Sequence, residues 1–269
     1  MGLYIDGIPV IDKNAYDFDW EGVTRATMLR GPQGTLYGRN AMSGVLSLST
    51  FSPCDDYRPT LRIEYGTANT VRAGISFTAG KSALSATFRH TDGFFNNAFK
   101  GEPCDPYDGL ALRWKWVSNC TERMCLTNIL SANISKEGGF AYGIWKEGTQ
   151  HPVSYNDEGS YKRLSVIEGY RLRHHGDLLV TDATASLQLL ADDMHMDQDY
   201  TENFIFTLQQ KQLSGAGTME VTIRRAQEDA LWQPQTGLFT FYRMNQLSAP
   251  VPITDHGCPP FRPSRSENH

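Results

Sequence analysis

The sequence predicts a mainly β protein, with a short α/β segment followed by antiparallel strands of a membrane-spanning barrel. Three observations predict it. From Thr60 onward, apolar and polar residues alternate with period two. The connections between the alternating segments are short and long in turn. No run of about 18 or more apolar residues occurs, so no transmembrane helix is encoded. A barrel escapes that test, because its lipid-facing residues are diluted by lumen-facing polar ones in any hydropathy average.

The first 52 residues carry the α/β segment. Residues 3–5 and 8–10 are short apolar pieces around Asp6-Gly7, a turn pair. Residues 19–29 fit a short helix with an acidic cap, leading into a strand that ends at Arg30. Gly31-Pro32 and Gly34 interrupt regular structure. Val45, Leu46 and Leu48 mark a last strand ending at Thr50, and Ser52-Pro53 reads as a linker.

Beyond the linker the alternation is regular. Leu61, Ile63 and Tyr65 alternate with Arg62, Glu64 and Gly66. Val71, Ala73, Ile75 and Phe77 alternate with Arg72, Gly74, Ser76 and Thr78. Leu110, Leu112, Trp114 and Trp116 share one face, with Arg113 and Lys115 on the other. One greasy face and one charged face suit a wall between lipid and a wet lumen. A soluble sandwich would also alternate, with its apolar face against a second sheet. Ten strands are expected near 60–66, 70–80, 82–92, 109–117, 124–135, 160–173, 177–190, 203–212, 217–226 and 233–243. The connections 81, 118–123, 174–176 and 213–216 are short, and 93–108, 136–159, 191–202 and 227–232 are longer; only 67–69 breaks the rule. Short turns at one rim and long loops at the other are an outer-membrane pattern.

Two stretches then carry a family resemblance. Residues 30–50 read Arg-Gly-Pro-Gln-Gly-Thr-Leu-Tyr-Gly-Arg-Asn-Ala-Met-Ser-Gly-Val-Leu-Ser-Leu-Ser-Thr. They resemble the end of the plug domain of TonB-dependent outer-membrane receptors, and Tyr4-Ile5-Asp6-Gly7-Ile8-Pro9-Val10 is similar to that plug's early strand. The resemblance implies residues 1–52 as the C-terminal part of a plug, residues 53–246 as the N-terminal portion of a barrel, and residues 247–269 as a Pro-rich irregular tail. Such receptors have about 22 strands, so about ten strands leave the barrel unclosed. No secretory signal follows Met1, no TonB box precedes the plug, and the chain ends in Arg-Ser-Glu-Asn-His269 rather than on an aromatic residue. The expectation is a fragment.

For the intact protein the resemblance implies energised import of a scarce ligand, such as a ferric siderophore, haem or cobalamin. The implied partners are a TonB-type energy-transducing complex, outer-membrane lipid and the small-molecule ligand, with no cofactor. A passive porin-like barrel and a secreted β-rich binding module are the alternatives. The former does not account for residues 30–50, and the latter predicts solubility without detergent.

The candidate plug-seating motif is Arg30, Gly31, Pro32, Gly34, Tyr37, Gly38, Arg39 and Gly44. A planar guanidinium suits bidentate pairing with a barrel carboxylate in a wet, partly enclosed site, and inward-facing Glu64 is one conceivable partner. Solvated turn arginines are the other reading. The glycines serve backbone geometry. A second candidate is the acidic run containing Asp192, Asp193, His195, Asp197 and Asp199, placed in an outer loop. It could attract a hard cation or a ferric complex, or be a solvated acidic loop. His174-His175 reads as turn surface, and Trp114 and Trp116 as members of an aromatic girdle.

Several function classes are disfavoured. None of the seven histidines sits in a metalloprotease motif, and no phosphate-binding loop or dinucleotide fingerprint occurs, so no enzyme is expected. A net charge of −5 without a basic cluster argues against nucleic acid. The five cysteines form no metal pattern. If the first strand rises from the periplasm, Cys104 lies in an outer loop while Cys120 and Cys125 flank a periplasmic turn. Only a Cys120–Cys125 bridge is then geometrically possible among these three.

Overall fold

The computed structural model describes residues 1–16, 19–37, 41–118, 121, 123–143, 145–146, 148–156, 159–197, 199–203, 207–227 and 232–249. Two sheets hold most of them. The first has the order β2-β1-β4-β3, from β1 (Gly2–Ile5), β2 (Ile8–Val10), β3 (Val23–Arg30) and β4 (Gly44–Thr50). β1 and β2 form a hairpin in register Leu3↔Val10 and Ile5↔Ile8. Its two-residue turn has φ 51° at Asp6 and φ 87° at Gly7, the paired positive values that Asp-Gly supplies in a tight hairpin. β1 also pairs parallel to β4, with Tyr4 opposite Ser47. The helix expected over residues 19–29 is absent: residues 23–30 are strand β3, antiparallel to β4. Pairing with β4 outweighs the local capping signal. Helical structure in this part is limited to a 3-10 turn at Lys13–Ala15 and one turn, α1, at Gly34–Tyr37.

The second sheet has nine strands in the order β17-β16-β15-β14-β11-β10-β7-β6-β5 and does not close on itself. In chain order they begin with β5 (Thr60–Gly66), β6 (Thr70–Ala79) and β7 (Ser82–Thr91). A two-residue hairpin, β8 (Asn96–Asn97) and β9 (Glu102–Pro103), follows within a loop. Next come β10 (Tyr107–Ser118) and β11 (Met124–Glu137), a second small hairpin of β12 (Trp145–Lys146) and β13 (Thr149–Gln150), and β14 (Ser160–His175). β15 (Leu179–Asp197), β16 (Thr207–Arg225) and β17 (Gln235–Ser248) complete the sheet. Each neighbouring pair is antiparallel.

Nine strands stand where ten are expected, because residues 203–212 and 217–226 belong to one strand, β16. The small residues Ser214-Gly215-Ala216-Gly217 pair without interruption with 187–190 of β15. Their lack of bulk reads as a turn, but the ladder needs only backbone. The 226–234 connection therefore lies at the rim of the short turns, and β17 rises from it. β15 likewise continues through Asp197, so most of the expected acidic loop is strand.

The two faces of the nine-stranded sheet differ as the alternation requires. One face carries Leu61, Ile63, Trp114, Trp116, Leu187, Leu213 and Met219, all exposed. The other faces the small sheet. Leu3, Ile5, Ile8, Val10, Ala15 and Leu48 pack with Ile129, Ile167 and Leu190 of the large sheet into one buried cluster. At the loop rim, Asn97 Nδ2 donates to the Tyr155 carbonyl at 2.7 Å and Ala98 N to the Val153 carbonyl at 2.8 Å, tying two long loops together. Among the described residues no helix is long and apolar enough to cross a membrane, which says nothing of strands.

Candidate functional site: the seat of the small sheet in the large one

Polar contacts surround the apolar cluster in three tiers. The lowest holds Asp6, fixed by the β1–β2 turn. Thr50 N donates to Asp6 Oδ1 at 2.8 Å, and the Thr50 hydroxyl donates to Oδ2 at 2.5 Å. Lys115 Nζ, from inward-facing β10, reaches Asp6 Oδ1 at 2.9 Å and also donates to the Thr50 carbonyl at 2.9 Å. These side chains are 7% and 9% exposed. A buried pair of this kind is retained only when the remaining donors and acceptors are satisfied, and Thr50 satisfies them from the backbone and the hydroxyl.

The middle tier holds residues 19–22. Arg113 donates to the carbonyls of Glu21 and Asp19 at 3.0 and 3.1 Å. Asp19 accepts from Arg72 at 3.4 Å and from the Thr87 hydroxyl. Glu21 accepts from Ser76 at 2.9 Å and from Thr60 at 3.2 Å. Gly74 belongs here too, since a Cβ on it would stand 2.9 Å from a Glu21 carboxyl oxygen.

The upper tier faces the long loops. Asp12 accepts from Arg243 at 2.6 Å and from Gln212 at 3.2 Å. Asn14 donates to Asp192 at 3.1 Å, and Tyr161 donates to the same carboxylate at 2.7 Å. Gln188 bridges to the backbone of Pro9 and Ile11 at 2.6 and 3.0 Å. Between Asp12, Asn14, Gln212, Arg243, Phe239 and Phe241 lies a cavity of about 340 Å³. It combines carboxylate, guanidinium and amide groups with two stacked rings 6.1 Å apart. A ligand with polar oxygens and a flat apolar part meets complementary groups there.

The sequence motif takes a different place. Arg30 is exposed at the end of β3, opposite Gly44. Glu64, its conceivable partner, pairs with Arg62 at 3.6 Å. Gly31 has φ 83°, Pro32 is exposed, and Gly34 opens the α1 turn. Tyr37 packs edge-on to Tyr4 at 5.0 Å, and its carbonyl accepts from the Tyr4 hydroxyl at 2.5 Å. Gly44 has φ 129°, and a Cβ there would stand 2.5 Å from the Leu29 carbonyl oxygen. Gly38 and Arg39 lie outside the described residues. Among the described residues, the large sheet supplies the cations of the seat and the small sheet supplies acids and carbonyls.

Asp192, Asp193, His195, Asp197 and Asp199 do not converge on one point. Asp192 faces the small sheet and is 8% exposed. Asp193 is on the opposite face of β15, paired with Lys211 at 3.5 Å. Asp197 is buried, and its Oδ1 accepts from Asp199 N at 3.1 Å. No cluster of three or more metal-ligating side chains occurs among the described residues. Cys104 is buried, with its thiol toward the Phe95 carbonyl at 3.3 Å; Cys120 lies outside the described residues.

This architecture has known counterparts. Residues 1–45 match the family model described as TonB-dependent Receptor Plug Domain. Over 67 residues the chain is 39% identical to the pesticin receptor of Yersinia pestis, an alignment that covers 25% of this chain and 10% of that protein. The crystal structure of the ferric yersiniabactin uptake receptor from Yersinia pestis superposes with a TM-score of 0.73 at 18% identity, over 93% of this chain and 41% of that one. The ferripyoverdine receptor of the outer membrane of Pseudomonas aeruginosa gives 0.69 at 12%, over 93% and 36%. Fold and motif together define a plug seated against an outer-membrane barrel. The chain is part of a TonB-dependent receptor, carrying a plug segment and a run of barrel strands, and it spans about two fifths of the solved structures it resembles.

Proposed function

We propose that the intact protein imports a ferric siderophore across the outer membrane, with a TonB-type complex in the inner membrane pulling on the plug. The observation that carries this reading is the make-up of the seat. The plug is held in the lumen by a small apolar cluster ringed by ion pairs and hydrogen bonds, of which Asp6–Lys115 is the most enclosed. Contacts of this kind can be exchanged for water one at a time as force is applied, whereas a wholly apolar interface would have to part at once. A passive porin has no use for such a stopper. The cavity above Asp12 and Asn14 supports a ligand carrying both oxygen donors and flat apolar surface. Siderophores are favoured over haem and cobalamin because the named counterparts take up ferric yersiniabactin and bind ferripyoverdine.

The test is uptake of radioactive iron by cells that carry the native gene as their sole receptor, offered a panel of ferric siderophores. Uptake of one panel member that stops when a protonophore collapses the inner-membrane gradient is the expected result. Uptake of every siderophore regardless of the gradient would instead indicate an open pore.

A further inference from the structure

We propose that the outward face of the barrel carries a binding groove for a phosphate-bearing, acylated lipid of the outer leaflet, with the phosphate between Lys136 and Lys162. The proposal rests on the reading of this chain as an outer-membrane barrel.

The strand register places the groove. On the outward face, Lys136 of β11 lies directly opposite Lys162 of β14, Lys162 lies opposite Asp193 of β15, and Asp193 lies opposite Lys211 of β16. One position nearer the membrane centre on the same face, Ile134, Leu164, Ala191 and Leu213 form the next row. Ala191 is the small member between larger neighbours, and the depression at this place has a volume of about 660 Å³. It is therefore apolar on its inner side and cationic along its outer rim.

Two further facts point to an anion. Lysines placed directly across a strand pair repel each other, so the Lys136–Lys162 juxtaposition is an electrostatic cost in the protein alone. The nearby carboxylates are already engaged: Asp108, opposite Lys136, is 2.7 Å from His90, and Asp193 is 3.5 Å from Lys211. A lipid phosphate between Lys136 and Lys162 would remove that repulsion, and an acyl chain would cover Leu164, Ala191 and Leu213.

The height matches as well. The short-turn ends of three strands are Met124, His175 and Arg225. About eleven tilted residues cross the hydrocarbon, which brings the far boundary to the level of Ile134, Ser165 and Gly215. Lys136, Lys162 and Lys211 lie just beyond that boundary, where lipid phosphates lie. The rim is the one bearing the long loops, so the leaflet is the outer one.

The experiment uses the full chain purified in detergent and measures lipid retention by native mass spectrometry. The probes are phosphatidic acid, phosphatidylcholine and inorganic phosphate. Phosphatidic acid is expected to be retained in preference to phosphatidylcholine and not to be displaced by inorganic phosphate. Lys136→Gln with Lys162→Gln should weaken it roughly thirtyfold, about fivefold per lysine. Ala191→Phe, which fills the groove and leaves both lysines in place, should weaken it too. Equal retention of the two lipids, or no change in the lysine variant, would overturn the proposal. Displacement by inorganic phosphate would mean a free-anion site and overturn it equally. A chain that never fractionates with membranes would overturn the outer-membrane reading itself, an outcome distinct from a membrane-inserted chain that shows no lipid preference.

Discussion

Replacing Lys115 by Met tests the seat at its most enclosed point. The ammonium is 2.9 Å from Asp6 Oδ1, and both side chains are under one tenth exposed. Removing one partner of a buried pair costs about 3–5 kcal/mol, most of it from the charge left behind. Asp6 keeps two hydrogen bonds from Thr50, which places the expected loss at the lower end, about 3 kcal/mol. Asp6→Asn keeps a residue that tolerates the positive φ of the turn and leaves the ammonium facing a neutral amide. The double variant removes both charges and should recover much of the loss. The expected coupling is about 2 kcal/mol or more, well above the roughly 0.5 kcal/mol within which independent sites add. The assay is hydrogen exchange of the plug peptide spanning residues 1–16 against urea, with peptides from β15 and β16 as an internal reference. The singles should expose the plug at lower urea while the barrel peptides stay protected. Additive single effects, or loss of barrel and plug protection together, would refute the assignment of this pair as a plug–barrel fastening.

Gly44→Ala should destabilise the plug by about 1–3 kcal/mol, because its φ is 129° and the new Cβ would stand 2.5 Å from the Leu29 carbonyl oxygen; the same peptide readout checks it, with barrel peptides unchanged. Arg243→Ala should cost only about 1 kcal/mol, since the guanidinium is about one third exposed although it reaches Asp12 at 2.6 Å; its larger effect is expected on ligand affinity, measured by equilibrium binding of the transported siderophore. Burial pushes the Tyr4 and Tyr16 hydroxyls above their ordinary value of 10.0. The folded plug therefore holds protons that the unfolded chain releases, so plug stability is fully present below pH 10 and falls as pH rises beyond it. Tyr4→Phe should flatten part of that alkaline decline in a urea-midpoint series.

The barrel strands were legible where each residue declares its face. β5, β6, β7 and β10 follow their alternating sequence closely because lipid and lumen ask opposite chemistry of successive positions. The signal failed where small residues removed the contrast. Ser214-Gly215-Ala216-Gly217 looks like a turn, yet it is the middle of β16, held by backbone pairing that no side chain announces. It failed again at Asp192 and Asp193, where β15 runs on beyond the lipid and its residues no longer need an apolar face. Residues 30–50 identified the plug, but not the fastenings found among the described residues. Asp6, Asp12, Asp19 and Glu21 carry no local mark, because their partners are far along the chain: Asp12 and Arg243 are 231 positions apart. Only the inward-facing charges Arg72, Arg113 and Lys115 hinted that something acidic fills the lumen.

The account's central claim is that the plug must move against its seat for import. A reversible thiol tether tests it most directly, joining Asn14→Cys on the plug to Gln212→Cys on β16, positions whose side chains lie 3.3 Å apart, in a receptor whose native cysteines are replaced by serine. Cells treated with a short bis-methanethiosulfonate reagent should bind the ferric siderophore but fail to import it, and dithiothreitol should restore uptake. Undiminished import through the tethered receptor would contradict the claim that this seat opens.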